Sequence, residues 1–313
     1  MRTCVEIWPL ALLAIAVAAQ VACGQARTSF VPAHSIAALQ AALDRQGFGV
    51  GCIDDEDGAR TQVALRDYCQ ARGLSEAVAR QALTADGNPA FFKHIVTTQE
   101  LAEVGAAPAD WLEASQAPRM ACESLEGVLS EKYHVSEDYL RLLNPQVKDW
   151  HANLAGVAVI VPNSTAPRRR RTACRIEVDC RLFRLRAFDD AGQLAASFPC
   201  SIAMDRAKIP TGELHIASAA ANPTYTFDPA NYPESPRAQE IGKRLIIPAG
   251  PRTPVGVYWL GLNLPGFGIH GTNHPETIGR SESHGCFRLT NWDILKLAGM
   301  VKVGTPVTVL AAK

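Results

Sequence analysis

The amino-acid sequence predicts a multidomain protein: a small α-helical domain, a small α/β module, and a mostly β domain with one C-terminal helix. Three observations carry that prediction. The 313 residues exceed what one ordinary domain takes, roughly 100–200 residues. Amphipathic helical stripes dominate the chain before residue 164. From Cys174 onward the texture changes to short β-rich segments bounded by Gly, Pro and Asp. The composition is that of a globular chain, 47% hydrophobic and 20% charged, and its 31 basic and 31 acidic residues cancel. No global field then favours nucleic acid or an anionic membrane, so any partner is recognised locally.

Residues 1–26 read as an export signal. Arg2 precedes IWPLALLAIAVAAQVA, a short apolar run ending in small residues. Gln20 interrupts that run before the roughly 20 apolar residues a span needs, so no membrane span is expected in the mature protein. Ala16-Val17-Ala18 and Gly24-Gln25-Ala26 both fit a cleavage site, and lipidation at Cys23 stays open although the preceding QVA lacks the usual leucine. The expected location is the periplasm or cell envelope, where structural thiols pair. Past the signal remain Cys52, Cys69, Cys122, Cys174, Cys180, Cys200 and Cys286, an odd number, so at least one is unpaired within the chain. Cys286 is the one expected free. Cys52–Cys69 and a pair among Cys174, Cys180 and Cys200 are candidate bridges.

Residues 33–75 form the first module. SIAALQAALDRQGF places Ile36, Leu39 and Leu43 on one helical stripe, and GFGVGCIDDEDG is a turn-rich stretch. ARTQVALRDYCQARGL is a second helix with Val63, Leu65 and Tyr68 apolar and Gly73 after its end. This pattern, LQAALDRQGF…IDDEDGARTQVALRDYCQARGL, resembles a peptidoglycan-binding domain, with Tyr68-Cys69-Gln70 in place of the usual aromatic-Gln ending. Residues 76–117 read as a helical connector. Residues 118–163 form a second module: a helical stripe in SLEGVLSEKYHVSEDYLRLLNP, Ser136 as N-cap of a second helix, a stop at Asn144-Pro145, and the strand-like LAGVAVIVP. Leu125, Leu129, Tyr133, Leu140, Leu143, Asn144-Pro145, Leu154, Gly156 and Ile160-Val161-Pro162 make it similar to a LysM module, although a first strand before Cys122 is hard to see. Residues 164–173, with Arg168 to Arg171 in succession, read as a solvated linker, with contact to an anionic envelope polymer as the alternative.

The mostly β domain spans residues 174–312. Its one helix, TNWDILKLAGMV, has Thr290 as N-cap, Asp293 as capping-box partner, and an apolar face of Ile294, Leu297, Ala298 and Val301. Between the strand GVYWLGL and this helix lies HGTNHPETIGRSESHGCFRL, a polar segment on loops of a β scaffold, where chemistry tends to be placed. Its His270, His284 and Cys286 with His274, Glu276 or Glu282 suggest a metal site, but the spacing fits no closed CxxC or HxxxH pattern. A thiol with an imidazole base accounts for more residues: a neighbouring imidazole takes the thiol proton and frees a thiolate for attack on a carbonyl. Both His270 and His284 are candidates by position, while the glycines at 271 and 285 suit backbone that turns or approaches a substrate. Gly285 and Cys286 would present backbone N–H groups to a developing oxyanion.

HGTN…IG…SHGCFRL resembles the signature of the L,D-transpeptidase (YkuD-type) domain, and supporting blocks IPTGELHI, ANPTYTFDP, IPAGPRTPVGVYWLGL and VGTPVTVL extend the resemblance over residues 174–310. The resemblance implies a YkuD-like β-sandwich. It implies Cys286 as the acylated nucleophile, His270 as general base and later acid, and the backbone carbonyl of Gly271 as the group orienting that imidazole. Ser283, His284 and Gly285 shape the oxyanion and acyl site, and Arg288 supports the loop or a substrate carboxylate, with a surface salt bridge as the bland alternative. Asn273 and Tyr258 are expected to line the cleft, His274 to be a solvated loop histidine, and NPTYTFDPANYPESPRAQEIGKR to form a lid. The implied reaction is acyl transfer on peptidoglycan stem tetrapeptides, giving 3→3 crosslinks or attachment of a protein such as an outer-membrane lipoprotein. Carboxypeptidase or hydrolase action and a catalytically silent wall-binding protein are the alternatives. No cofactor and no metal are implied, and the partners are stem peptides and glycan strands.

Overall fold

The computed structural model describes residues 35–164, 172–283 and 285–310. The export signal, the Cys23 alternative, the four arginines and His284 lie outside the described residues.

The N-terminal part runs through α1 (Ile36–Arg45), α2 (Ala59–Arg72), α3 (Glu76–Thr84), β1 (Phe91–Ile95), α4 (Thr98–Leu101), α5 (Trp111–Ala114), α6 (Leu125–Tyr133), α7 (Glu137–Leu143) and β2 (Ala158–Pro162). Hydroxyl caps start most of these helices. Ser35, Ser75, Thr97, Ser124 and Ser136 each accept a backbone N–H of the first turn, a contribution of about 1 kcal/mol apiece. Gly73 ends α2 in the left-handed region (φ 62°), which costs a residue without Cβ nothing.

One structural difference from the expected organisation stands out. The span 76–117, expected as a helical connector, contains β1, which pairs antiparallel with β2 in the register Lys93↔Ile160. Phe92 and His94 of β1 pack on Tyr133 of α6, and Phe91 on Tyr139 of α7. A strand thus lies before Cys122, separated from α6 by α4 and α5. The segments expected as a helical domain (33–75), a connector (76–117) and a module (118–163) share one core, in which Leu39, Leu43, Phe48 and Leu65 pack with Leu125, Leu129, Leu140 and Val161. Two helices of some ten residues expose too much of their apolar stripes to stand alone.

The second part comprises β3 (Arg175–Asp179), β4 (Arg184–Phe188), β5 (Leu194–Pro199), β6 (Ile202–Ala203), β7 (Leu214–Ala221), β8 (Tyr225–Phe227), α8 (Pro236–Ile241), β9 (Leu245–Ile247), β10 (Tyr258–Leu262), β11 (Gly268–His270), β12 (Ser281–Ser283), β13 (Phe287–Arg288), α9 (Asn291–Ala298) and β14 (Pro306–Leu310). Eight strands form one sheet in the order β13-β11-β10-β7-β14-β3-β4-β5, with two-stranded ribbons β12-β6 and β8-β9 beside it. The layers expected of a β-sandwich are thus made by one sheet that curls. β7 joins the halves, pairing with β14 at its start and β10 along the rest. Just past β5, Ser201 exchanges both backbone hydrogen bonds with Arg288 of β13, at 2.9 and 3.0 Å, so the two edges of the sheet meet. The core inside draws on both halves: Ile176, Val178 and Leu185 from one, Leu260, Ile269 and Phe287 from the other.

Thr290 caps α9 by accepting from the Asp293 amide at 3.2 Å, as expected. The Asp293 carboxylate does not close a capping box; it faces Lys296 at 3.4 Å. All seven cysteines beyond the signal are free thiols, so neither candidate bridge is formed.

Candidate active site

The site begins with strand alternation. Ile269 and Phe287 are wholly buried in the curled core, so their neighbours His270, Cys286 and Arg288 belong to the opposite face. β11 and β13 run parallel with His270 paired to Arg288, which brings the histidine beside the segment that begins with Cys286. The sixteen-residue excursion between these strands, 271–286, is tied down twice. β12 pairs with β6, and Ser201 Oγ accepts from the amides of Gly279 and Arg280 at 3.0 and 3.3 Å.

His270 is buried and fixed on three sides. Its backbone carbonyl accepts from Leu289 at 2.8 Å, its ring stacks on Trp259 with centroids 5.3 Å apart and planes 17° apart, and Nδ1 lies 2.6 Å from the Gly271 carbonyl oxygen. A carbonyl can only accept, so Nδ1 carries the proton and Nε2 keeps the lone pair. Burial pulls the imidazole pKa down to about 4; the bond to Gly271 opposes this, and the positive charge of Arg288 adds to it. At neutral pH the ring is a neutral base with one defined tautomer.

Burial pushes the Cys286 thiol up, against the nearby Gly268 amide and the Arg288 charge. Its Sγ–H points to the Gly266 carbonyl at 3.5 Å. The resting pair is therefore a neutral thiol and a neutral imidazole, and attack on a carbonyl has to be coupled to proton transfer.

Ser283 shapes the turn before the thiol, its Oγ donating to the Cys286 carbonyl at 2.6 Å and accepting from the Gly285 amide at 3.2 Å. At rest, therefore, the Gly285 N–H expected to face a developing oxyanion is engaged by Ser283. Gly285 matters for space instead, since a Cβ there would stand 2.7 Å from the Phe267 ring. Arg288 is half-buried, its charge reaches His270, Cys286 and Tyr225, and its Nε meets no partner among the described residues. This argues against the surface salt bridge and suits an anionic group entering from the cleft.

Tyr258 and Asn273, expected to line the cleft, are both half-buried and tied through their backbone carbonyls. Tyr258 packs against the core and accepts the Gly271 amide with its carbonyl at 3.2 Å; the next residue, Trp259, is the one that touches His270. Asn273 meets its neighbours through its backbone, accepting from Arg252 Nη1 at 2.9 Å. His274 is exposed and bonded to Glu276, as a loop histidine. No group of three or more ligating side chains among the described residues is arranged to hold a metal.

The segment expected as a lid is folded: β8, α8 and β9 enclose a small core of Phe227, Ala238, Leu245 and Ile247. Tyr225 donates to or accepts from Tyr232 at 2.8 Å and lies within electrostatic reach of Arg288 and of a Cys286 thiolate, so this flap borders the thiol. Trp111 of α5 stacks on Phe227 with centroids 4.7 Å apart, and Asp110 pairs with Arg237 at 2.6 Å, so the α5 segment grips the flap. Trp111, Tyr225, Trp259, Arg252 and Asn291 were not singled out from the sequence. The blocks ANPTYTFDP and PAGPRTPVGVYWLGL held three of them; Trp111 and Asn291 carry no local signal.

Residues 175–309 match the family model of the L,D-transpeptidase catalytic domain, YkuD. Among curated proteins, YkuD of Bacillus licheniformis is 27% identical over 187 residues, covering 60% of this chain and 93% of that protein. YkuD of Bacillus subtilis is 26% identical over 182 residues, covering 58% of this chain and 90% of that protein. YbiS of Escherichia coli is 42% identical over 87 residues, 28% of each chain. Among solved structures, an L,D-transpeptidase from Enterococcus faecium is 21% identical with a TM-score of 0.34; the match covers 49% of this chain and spans about half of the other, 55%. The similarity to L,D-transpeptidases of the YkuD type thus lies in residues 175–309, the part that holds His270 and Cys286.

Proposed function

We propose that the protein is a peptidoglycan L,D-transpeptidase working through a thioester on Cys286. The observation that carries this reading is the bond from His270 Nδ1–H to the Gly271 carbonyl, which leaves Nε2 as an acceptor on the face of the sheet that bears Cys286. Cys286 Sγ attacks the carbonyl between the third residue (its L-centre) and the D-Ala at position four of a donor stem peptide. His270 Nε2 takes the thiol proton and returns it to the departing D-Ala amine as the C–N bond breaks. An acceptor amine then attacks the thioester and gives its proton to His270; the thiolate leaves and is reprotonated. Arg288 receives an anionic group of the stem peptide. The side chain of a diamino acid on a neighbouring stem gives a 3→3 crosslink, a protein lysine gives an anchored protein, and water gives a carboxypeptidase.

The reading of residues 1–26 as an export signal supports a location in the periplasm or cell envelope, and the N-terminal helices with the β1-α6-α7-β2 unit are read as wall-binding modules that raise local substrate concentration. Incubation of the purified protein with disaccharide-tetrapeptide, followed by mass spectrometry, tests the reaction. Crosslinked dimer is the expected product. Tripeptide alone would replace transfer by hydrolysis, and no turnover with intact binding would leave a silent wall-binding protein. Cys286→Ala is expected to abolish turnover and the mass increment left by a carbapenem; turnover by that variant would sink the nucleophile.

A further inference from the structure

The imidazole is oriented by a backbone carbonyl, so its geometry is only as fixed as the backbone at 270–273. That stretch is held from outside its own domain. Asn291, buried at the start of α9, donates from Nδ2 to Glu131 Oε1 of α6 at 3.1 Å and to the Pro251 carbonyl at 3.0 Å. Its Oδ1 accepts the Val257 amide at 3.1 Å. The same oxygen fills the space a Cβ would need at Gly271 and at Gly256, standing 2.3 and 2.1 Å from those positions. The Asn291 amide is thus wedged against the residue whose carbonyl orients His270. Arg252 makes a second tie, with Nη1 on the Asn273 carbonyl and Nη2 on Glu137 Oε1 of α7, both at 2.9 Å. The approach needs Gly127 on α6, where a Cβ would lie 2.8 Å from Nη2. A backbone seam runs alongside, with Met120 N–H on the Ala249 carbonyl and Arg252 N–H on the Met120 carbonyl, at 3.0 and 3.1 Å.

We propose that Glu131 and Arg252 are positioning residues for His270, through which the N-terminal unit locks the 270–273 backbone in the geometry acyl transfer needs. The proposal rests on His270 acting as the base for Cys286. The α6-α7 hairpin then serves as part of the catalytic scaffold as well as any wall binding it performs, and Asn291 and the Asn273 carbonyl are the points where it grips.

The test compares the full-length protein with Glu131→Ala, Glu131→Gln and Arg252→Ala, reading kcat and KM on disaccharide-tetrapeptide and the ¹⁵N spectrum of the His270 imidazole. Glu131→Ala and Arg252→Ala are expected to lower kcat roughly tenfold to a hundredfold with KM held within about twofold, the scale of a displaced catalytic group. Glu131→Gln keeps an oxygen acceptor for Asn291 Nδ2 and is expected to return kcat to within about threefold of wild type. The His270 spectrum of the alanine variants is expected to lose its single Nδ1–H tautomer. An unchanged kcat and spectrum, or a lowered melting temperature with both unchanged, overturns the proposal. So does a glutamine variant as impaired as the alanine variant. If wild type itself shows no turnover, the reaction assigned to the site fails, and the imidazole spectrum alone decides the positioning claim: a changed spectrum supports it and an unchanged one overturns it.

Discussion

The N-terminal unit meets the catalytic domain through two kinds of polar contact, one remote from the thiol and one beside it. In the remote contact, Asp67 of α2 faces Arg184 of β4 at 3.3 Å and Arg186 at 2.9 Å. Ser197 of β5 donates to Asp67, and Arg184 also donates to the Gly49 carbonyl at 2.8 Å. Everything there is closed off: Arg184 is 1% exposed, and burial pulls its guanidinium down to about 10 with Asp67 opposing, so it stays charged at neutral pH. Beside the thiol, by contrast, Glu131 accepts from the Asn291 side-chain amide and Glu137 from the Arg252 guanidinium, and these two donors reach on to the Pro251 and Asn273 carbonyls. The first contact joins a helix to the large sheet and bears on stability; the second joins a helix hairpin to the start of α9 and to the loop at Arg252 and bears on geometry. A third cluster, Asp44 with Lys296 at 2.6 Å and His134 at 2.8 Å, belongs with the first kind, since it links α1 and the end of α6 to α9.

The largest effect expected from breaking that contrast is at Asp67. Asp67→Ala leaves Arg184 buried without its carboxylate and is expected to cost roughly 3–5 kcal/mol, read as a fall in the urea midpoint. The turnover of the protein that remains folded is expected to hold. A turnover loss matching that of Glu131→Ala would erase the distinction between the two contacts.

A smaller effect follows from His270. Its pKa is about 4 in the folded protein and 6.5 as a free side chain. Between these values the unfolded chain binds more protons, so stability rises with pH over that window and is lost as pH falls through it. The loss approaches roughly 3 kcal/mol near pH 4 and is flat below it. Urea titrations of wild type and His270→Gln from pH 4 to 7 check this: the difference between the two should shrink toward neutral pH for the protonation-linked part, and parallel curves would mean that burial does not perturb this imidazole.

The smallest effect is at Thr290, whose hydroxyl caps α9 one residue before Asn291. Thr290→Ala is expected to cost about 1 kcal/mol. Because fraying there frees Asn291, kcat should fall more than a cap alone predicts. A stability loss with no change in kcat would separate α9 from the positioning of His270.

Much of the site was legible along the chain because its chemistry is local. His270, Gly271, Ser283 and Cys286 fall within one segment, and the glycines in it mark backbone that no side chain could share. The helix caps Ser136 and Thr290 were legible for the same reason, as each bonds within its own first turn. What failed was non-local. FFKHI is five residues among helices, and only its pairing with β2, some 67 residues downstream, makes it a strand. Tyr258 and Trp259 are equally aromatic and adjacent, and strand register alone sends one to the core and the other onto His270.

The sequence by itself determined the switch from helical to β texture near residue 174 and the single segment that holds His270, Gly271, Ser283 and Cys286, since each rests on residue types at short spacing. Only the tertiary structure decided that one curled sheet takes the place of two, that Gly285 gives its amide to Ser283, and that α6 and α7 reach the loop beside His270. The reach of α6 and α7 depends on contacts between residues more than a hundred positions apart, such as Glu131 with Asn291, whose existence is set by how whole surfaces pack and leaves no periodicity for a linear reading to find.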